Sequence, residues 1–371
     1  MKPAAWRGLI LGAWVLALVA ACAPQASAPP QPPNTGGSPS SGSTGSPPAS
    51  GGLGEASAAP AAAPVEHLKA VYTSLGMTQA FMWVAQDAGY YRDEGLDVDL
   101  EYIPGSNVAI QGLMSGDVQY MIAGGASSAG VALSGGDAVI LSTMIGTFVI
   151  NVIGQPDIPP TPEGVRGKTL AVTRIGSTSD FVARYWLKRI GLEPAADVPI
   201  IQVGGNPEMV AALATGAADM VAATDLFALE LQRQGYRELM NGASLGVEYI
   251  HAGIGARRSY VSSHEDVTRR FLRASFRGQA RFVADRDFAI QVVSKYSQLD
   301  DADVLGRSWE LYASKFVKRL PYTSTAGMQL ALEELATTND AARGADPEQF
   351  YDNHFVRELD DAGFFKALYP Q

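Results

Sequence analysis

The stretch LKAVYTSLGMTQAFMWVAQDAGYYRDEGLDVDLEYIPGSNVAIQGLMSGDVQYMIAGGA, residues 68–126, finds a counterpart one hundred positions later. That counterpart is KTLAVTRIGSTSDFVARYWLKRIGLEPAADVPIIQVGGNPEMVAALATGAADMVAATDL, residues 168–226, and no gap is needed. Thr73, Gly76, Thr78 and Phe81 meet Thr173, Gly176, Thr178 and Phe181. Asp97-Val98 meets Asp197-Val198, and Gly105, Leu113, Gly116 and Ala123 meet Gly205, Leu213, Gly216 and Ala223. Leu100, Ile103 and Met121 meet the similar Ile200, Val203 and Val221. The matches fall at strand–loop–helix junctions and at a Leu-x-x-Gly helix end. Each copy reads as strand, loop, helix, strand, loop, helix, strand: one α/β unit with a parallel sheet, built twice. Ligands of such sheets sit off the carboxyl ends of the strands. Two similar lobes with facing strand ends therefore predict a cleft that closes on a small molecule.

Around this repeat the chain reads as follows. Residues 68–73 form a buried strand, and a helix over 78–87 starts at Thr78 as N-cap. In 97–103 Asp97, Asp99 and Glu101 alternate outward with Val98, Leu100 and Tyr102 inward. A short helix over 108–115 stops at Gly116, and a strand over 118–123 runs into Gly124-Gly125-Ala126-Ser127-Ser128. Residues 139–145 and 148–153 read as further strands of the first lobe. The Pro-rich 155–161 reads as the first crossover. Strands over 169–173, 198–203 and 218–223 and a helix over 180–190 build the second lobe, 167–245. An apolar strand over 247–254 returns to the first lobe. That lobe thus comprises 65–155 and 247–371, completed by amphipathic helices from Ser262 onward, with Val267, Phe271 and Phe276 on one apolar face and another helix over 325–336. Two crossovers make a stiff hinge.

The chain opens with Lys2, Arg7 and an apolar run over 9–21 that ends at Cys22, the single cysteine. The run is too short for a comfortable membrane span and reads as a signal segment, 1–22. Val19-Ala20-Ala21-Cys22 resembles a bacterial lipobox, which implies lipidation at Cys22. Residues 23–64 are rich in Pro, Ser, Gly and Ala with one charge, Glu55, and are expected to be a disordered tether. Export and lipid anchoring to the outer face of the cell membrane, or its periplasmic side, follow. Taking Lys2 and Arg7 from the 28 basic residues leaves 26 against 38 acidic, a formal charge of −12. No basic stripe for nucleic acid is present, and a body without cysteine excludes disulfides and a thiol nucleophile. The four histidines are scattered, so no metal is assigned. No cofactor is expected.

The segment Gln79-Ala80-Phe81-Met82-Trp83-Val84-Ala85-Gln86-Asp87-Ala88-Gly89-Tyr90-Tyr91-Arg92-Asp93-Glu94-Gly95-Leu96-Asp97-Val98 resembles the signature of one group of ABC-importer substrate-binding proteins. These bind nitrate, taurine, alkanesulfonates, or the thiamine pyrimidine and its relatives. Gly112-Leu113-Met114-Ser115-Gly116-Asp117-Val118-Gln119-Tyr120 and Arg166-Gly167-Lys168-Thr169-Leu170-Ala171-Val172 agree with it. The resemblance implies a two-lobed, type II periplasmic-binding-protein fold, α/β in class, with a two-crossover hinge. It implies a small-molecule solute and an ABC permease as partners, and a monomer is expected. By position it implies ligand contacts at Ser74, Met77, Thr78, Gly125, Ala126, Ser127, Gly176, Ser177, Thr178, Asn206, Thr224 and Asp225.

The residue chemistry selects the same loops. Gly176-Ser177-Thr178-Ser179 precedes a helix, and its N–H groups, hydroxyls and helix dipole either hold an anion or simply cap the helix. Gly124 to Ser128 offers backbone to a ligand or makes a plain tight turn. Arg174 either pairs with a carboxylate or sulfonate or joins a surface or lobe-bridging salt bridge. Asp225 either accepts from a ligand amine or ring N–H or caps the next helix. Trp83 and Phe148 either stack on a flat ligand or belong to the core. The expected function is capture of a small organic anion such as a sulfonate, taurine or nitrate. A heteroaromatic ligand is the alternative for the same role. An enzyme like the thiamine-pyrimidine synthases is disfavoured, because those carry a cysteine-rich iron motif that this body lacks. A sensory lipoprotein would need a separate partner to transmit a signal.

Overall fold

In the computed structural model, which describes residues 65–370, ten strands follow one another along the chain. They are β1 (Glu66–Tyr72), β2 (Leu96–Tyr102), β3 (Tyr120–Ala123), β4 (Ala138–Thr147), β5 (Ile150–Gly154), β6 (Leu170–Val172), β7 (Ile200–Gln202), β8 (Met220–Thr224), β9 (Arg237–Met240) and β10 (Glu248–Arg257). They form two five-stranded sheets, ordered β2-β1-β3-β10-β4 and β7-β6-β8-β5-β9. The expected signal segment with Cys22 and the tether lie outside the described residues.

The repeat is visible in the hydrogen bonds. β1 lies parallel between β2 and β3, and β6 lies parallel between β7 and β8. The Lys69 N–H donates to the Gln119 side chain at 2.8 Å, and the Thr169 N–H donates to the Asp219 side chain at 2.8 Å. The Thr73 N–H donates to Gln79 Oε1 at 3.0 Å, and the Thr173 N–H to Ser179 Oγ at 3.0 Å. Gly116 and Gly216 both sit in the left-handed region, φ 93° and 73°, where each ends its helix and donates to Leu113 or Leu213. Only glycine adopts that conformation without strain. The alternation expected in β2 is also present: Asp97, Asp99 and Glu101 are exposed while Leu96 and Val98 are buried. These charges protect a sheet edge from further pairing.

The lobes exchange strands. β5 enters the second sheet antiparallel to β8, and β10 enters the first sheet antiparallel to β3. This corrects the expected first crossover. Ile150–Gly154 belongs to the second sheet, so the chain crosses at Phe148 and Val149 and not at the Pro-rich 155–161. The reason is burial: β5 is wholly buried between β8 and β9, and an apolar run does not reveal which of two sheets it joins. The first lobe's leading segment therefore ends at 147 rather than 155. The second crossing lies between β9 and β10. Thr78 is also no helix cap. A short 3-10 turn, Met77–Gln79, precedes the helix Ala80–Asp87, and Gly76 stands at its N-cap position.

The C-terminal helices complete the first lobe. Helix Glu265–Ala284 buries Val267, Phe271 and Phe276. Its Gly278 lies so close to helix Ala80–Asp87 that a Cβ there would stand 2.3 Å from the Phe81 carbonyl oxygen. Phe271 stacks between Tyr91 and Tyr120, whose hydroxyls bond Ser275 at 3.0 Å and Thr268 at 2.8 Å. The aromatic payload of Glu265–Ala284 therefore fixes it to the β1-containing sheet, and the carboxyl ends of β1 and β3 are left facing the other lobe.

Candidate functional site

Between the sheets lies a cavity of about 50 Å³. A buried water needs roughly 10–15 Å³ on this measure, so the space suits a group of about four heavy atoms. From the first lobe it is lined by Thr73, Ser74, Thr78, Gln79, Gly105, Ser106, Ile122, Ala123, Gly124 and His251. The second lobe contributes Ile150, Thr173, Ser177, Thr178, Ser179, Asn206, Met209, Ala222 and Thr224. No Asp, Glu, Lys or Arg is among them, and the only ring is the imidazole of His251.

Six helix starts reach this cavity. The turn and helices beginning at Met77, Ser106, Gly125, Thr178, Asn206 and Asp225 each place a first-turn or N-cap residue on its wall. Their N-cap residues are Gly76, Gly105, Gly124, Ser177, Gly205 and Thr224, and none caps through a side-chain hydrogen bond. At Gly205 the Glu208 carboxylate instead takes the N–H of the cap itself, at 2.7 Å. Away from the cavity both kinds occur: Asp285, Asp301 and Ser324 cap their helices with side-chain oxygens, while the helices starting at Arg258, Glu265 and His354 also lack a side-chain cap. The cavity therefore gathers partial positive charge and backbone donors with no cationic side chain.

The lobes meet directly around it. Asn206 Nδ2 donates to Ser74 Oγ at 3.0 Å, and Asn206 Oδ1 accepts from the Thr224 N–H at 3.3 Å. Asn107 Nδ2 donates to the Ile175 carbonyl at 2.7 Å. A Cβ on Gly76 would stand 2.6 Å from Thr224 Oγ1, and one on Gly124 would stand 2.4 Å from Thr178 Oγ1. Under the hundred-residue offset Gly124 and Thr178 answer to Thr224 and Thr78, so the two contacts are near-mirror uses of the repeat.

Of the residues singled out in the sequence, Ser74, Thr78, Ser177, Thr178, Asn206 and Thr224 line the cavity. Met77 is buried and is not on its wall. Ser127 bonds Ser106 Oγ at 2.9 Å and the Gly176 carbonyl at 3.4 Å. Gly125 packs on Ile250. Ala126 and Gly176 line a separate space of about 430 Å³ between the lobes, bordered by the ion pairs Asp180–Arg184 and Lys188–Glu334. Arg174 is not on the cavity wall: its stem lies against Gly105, where a Cβ would meet Arg174 Cγ at 2.6 Å. Asp225 is turned away into the hinge. Its Oδ1 accepts from Asn151 Nδ2 at 3.0 Å, and burial pushes its carboxyl up to about 7, against the opposing pull of Tyr312 and Asn151. Asn151 Oδ1 accepts the Gly242 N–H at 3.0 Å, which ties one crossing to the other. Trp83 is core, stacked on Tyr296, and Phe148 packs with Phe181 and Tyr249 at the first crossing.

Sequence reasoning missed His251, Ser106 and Gln79, while Ser179, named with its loop, does line the cavity. Gln79 could have been found, since it occupies the position of the repeat that matches Ser179. His251 had no signal, because β10 lies outside the repeat.

The fold is that of periplasmic binding proteins. The alkanesulfonate-binding protein SsuA of Xanthomonas axonopodis pv. citri, solved bound to MOPS, superposes with a TM-score of 0.66 at 17% identity, covering 79% of this chain and 100% of that one. The nitrate-binding protein NrtA of Synechocystis PCC 6803 gives 0.67 at 18% identity, covering 80% and 89%. By sequence, YtlA of Bacillus subtilis (strain 168), named for binding, is 26% identical over 243 residues, 62% of this chain and 71% of that one. The family described as NMT1/THI5 like matches residues 77–289, more than half of the sequence and the span that builds both halves of the cavity. The chain belongs to the NMT1/THI5-like family.

Proposed function

We propose that this protein is the solute-binding component of an ABC importer, and that it captures a small singly charged oxyanion between its lobes. The observation that carries this is the convergence of six helix starts, none capped by a side chain, on a cavity without a charged wall. Backbone N–H groups and hydroxyls hold a sulfonate or nitrate group well. A wall without a carboxylate offers no partner to the ammonium of taurine, which favours plain sulfonates or nitrate. The only ring on the wall is the small imidazole of His251, and about 50 Å³ suits the head group of an oxyanion better than a flat heteroaromatic. We read the chemistry as binding, in line with a relative and neighbours named for it. Neighbours named for sulfonate and nitrate binding support the same reading. The captured solute is delivered to a membrane permease, with lipidated Cys22 and the 23–64 tether keeping the body near it.

A thermal-shift panel of nitrate, methanesulfonate, ethanesulfonate, taurine and thiamine pyrimidines tests this. A ligand at a hundred times its dissociation constant adds roughly 2.7 kcal/mol of stability. Shifts with sulfonates or nitrate are expected. Silence from all the anions beside a shift with a pyrimidine would overturn the proposal in favour of the heteroaromatic ligand.

A further inference from the structure

His251 sits within β10, the strand that brings the chain back from the second crossing, and it lines the cavity. It is 6% exposed. Its Nδ1 is buried with no partner, and none of the described residues hydrogen-bonds either ring nitrogen. Buried polar atoms are nearly always bonded, so an imidazole beside a cavity with no hydrogen bond among the described residues is unusual and leaves a ligand as its available partner. It is also the one titratable side chain on that wall. Burial alone holds its proton affinity down, to about 3, and no charged neighbour contributes. The elements packed on β10 do carry titratable groups. Tyr120 lies on β3, Glu333 and Glu334 on helix Thr325–Leu335, Arg258 and Tyr260 on helix Arg258–Ser263, and Glu248, Tyr249 and Arg257 on β10 itself. None of them shifts the imidazole.

We propose that His251 is a specificity-determining ligand contact, which takes up a proton as an oxyanion enters the cavity and so matches the site to a single negative charge. This rests on the reading of the cavity as an anion site. Burial that opposes a lone imidazolium also strengthens its attraction to an adjacent anion, because both sit in a low dielectric. Anion and proton then bind cooperatively, and by linkage the affinity rises as pH falls. A neutral solute gains nothing from this. A dianion keeps one buried charge uncompensated, so methanesulfonate should be preferred over sulfate although the head groups are alike.

The test is calorimetric titration of the full protein with methanesulfonate at pH 5.5 and 8.0, in buffer pairs of different ionisation enthalpy. Proton uptake should approach about one per ligand at the lower pH and vanish at the higher, with affinity several-fold tighter in acid. His251→Gln, which keeps a neutral polar group, should abolish both effects while still binding. If that variant fails to fold, the imidazole nitrogen shifts of the native protein, titrated with and without methanesulfonate, report the same proton. Binding without uptake at pH 5.5 overturns the inference and leaves the anion site standing. So does uptake that survives in His251→Gln. Failure of methanesulfonate and nitrate to bind at either pH overturns the anion reading itself, and this inference with it.

Discussion

Gly76 has an extended backbone, φ −88° and ψ 171°, which any residue adopts. What requires glycine there is the other lobe. A Cβ would lie 2.6 Å from Thr224 Oγ1, 3.0 Å from its Cβ and 3.3 Å from its Cγ2, and no rotamer of a β-branched side chain clears all three. In the separated lobes the same methyl meets no such wall. Gly76→Ala should therefore spare the stability of the ligand-free protein and penalise closure, weakening methanesulfonate binding about tenfold, or about 1.4 kcal/mol. Adding Thr224→Ser removes Cγ2 and should recover part of the loss, which a double-mutant cycle by calorimetry reads as coupling. Equal affinity of Gly76→Ala and the native protein would mean that the lobes do not close on the ligand this way. Arg174 is the opposite case. It carries the charge that sequence chemistry looks for at an anion site, yet it lies against Gly105 and off the cavity wall. Arg174→Ala should change methanesulfonate affinity by no more than about twofold, since its side chain is not part of the cavity wall. A tenfold loss would place its guanidinium on the ligand.

At the scale of elements, the hundred-residue repeat made the architecture legible. It located β1 to β3 and β6 to β8, both Leu-x-x-Gly helix ends and the paired loops over the cavity. Of the six predicted contact residues on the wall, Thr78, Ser177, Thr178, Asn206 and Thr224 sit at helix starts, and such starts have a local signature. What stayed hidden is non-local. Ile150–Gly154 has the composition of any buried strand, and only tertiary packing assigns it to the second sheet. His251 and Asp225 differ in the same way: one faces the cavity and the other the hinge, and neither direction is written in neighbouring residues. Helix Glu265–Ala284 shows how such packing is enforced. A Cβ at Gly278 would press on the Phe81 carbonyl at 2.3 Å and on the Ala85 Cβ at 2.7 Å. Both are fixed in a helix and neither can swing away. Gly278→Ala should destabilise by about 1–3 kcal/mol through overpacking, outweighing alanine's better helix propensity. Urea denaturation with an unchanged slope is the check, and a more stable variant would show that the two helices slide freely.

Across the whole molecule, two buried titratable groups act on stability with opposite sign. The carboxyl of Asp225 is raised from 3.8 to about 7, chiefly by burial. Between those values the folded state holds more protons than the unfolded one, so its contribution falls as pH rises. His251 is lowered from 6.5 to about 3 by burial. Between those values the folded state holds fewer protons, so its contribution rises with pH. The windows overlap from about 4 to 6.5, where the two slopes, each at most about 1.4 kcal/mol per pH unit, partly cancel. Removing either group should expose the other. Asp225→Asn keeps an acceptor for Asn151 Nδ2, and relative to the native protein it should gain stability from pH 4.5 to about 7 and level off above that. His251→Gln should gain relative to the native protein as pH falls from 6.5 to 4.5, and differ little in its pH trend above 7. Both slopes come from urea denaturation at half-unit pH steps. A pH-independent difference between Asp225→Asn and the native protein would mean that the carboxyl is ionised throughout. The charge at the hinge would then be held by Asn151 and Tyr312 and not suppressed by burial. Because Tyr312 belongs to one lobe and Asn151 to the other, that same result would make an ionised Asp225 part of what holds the lobes together.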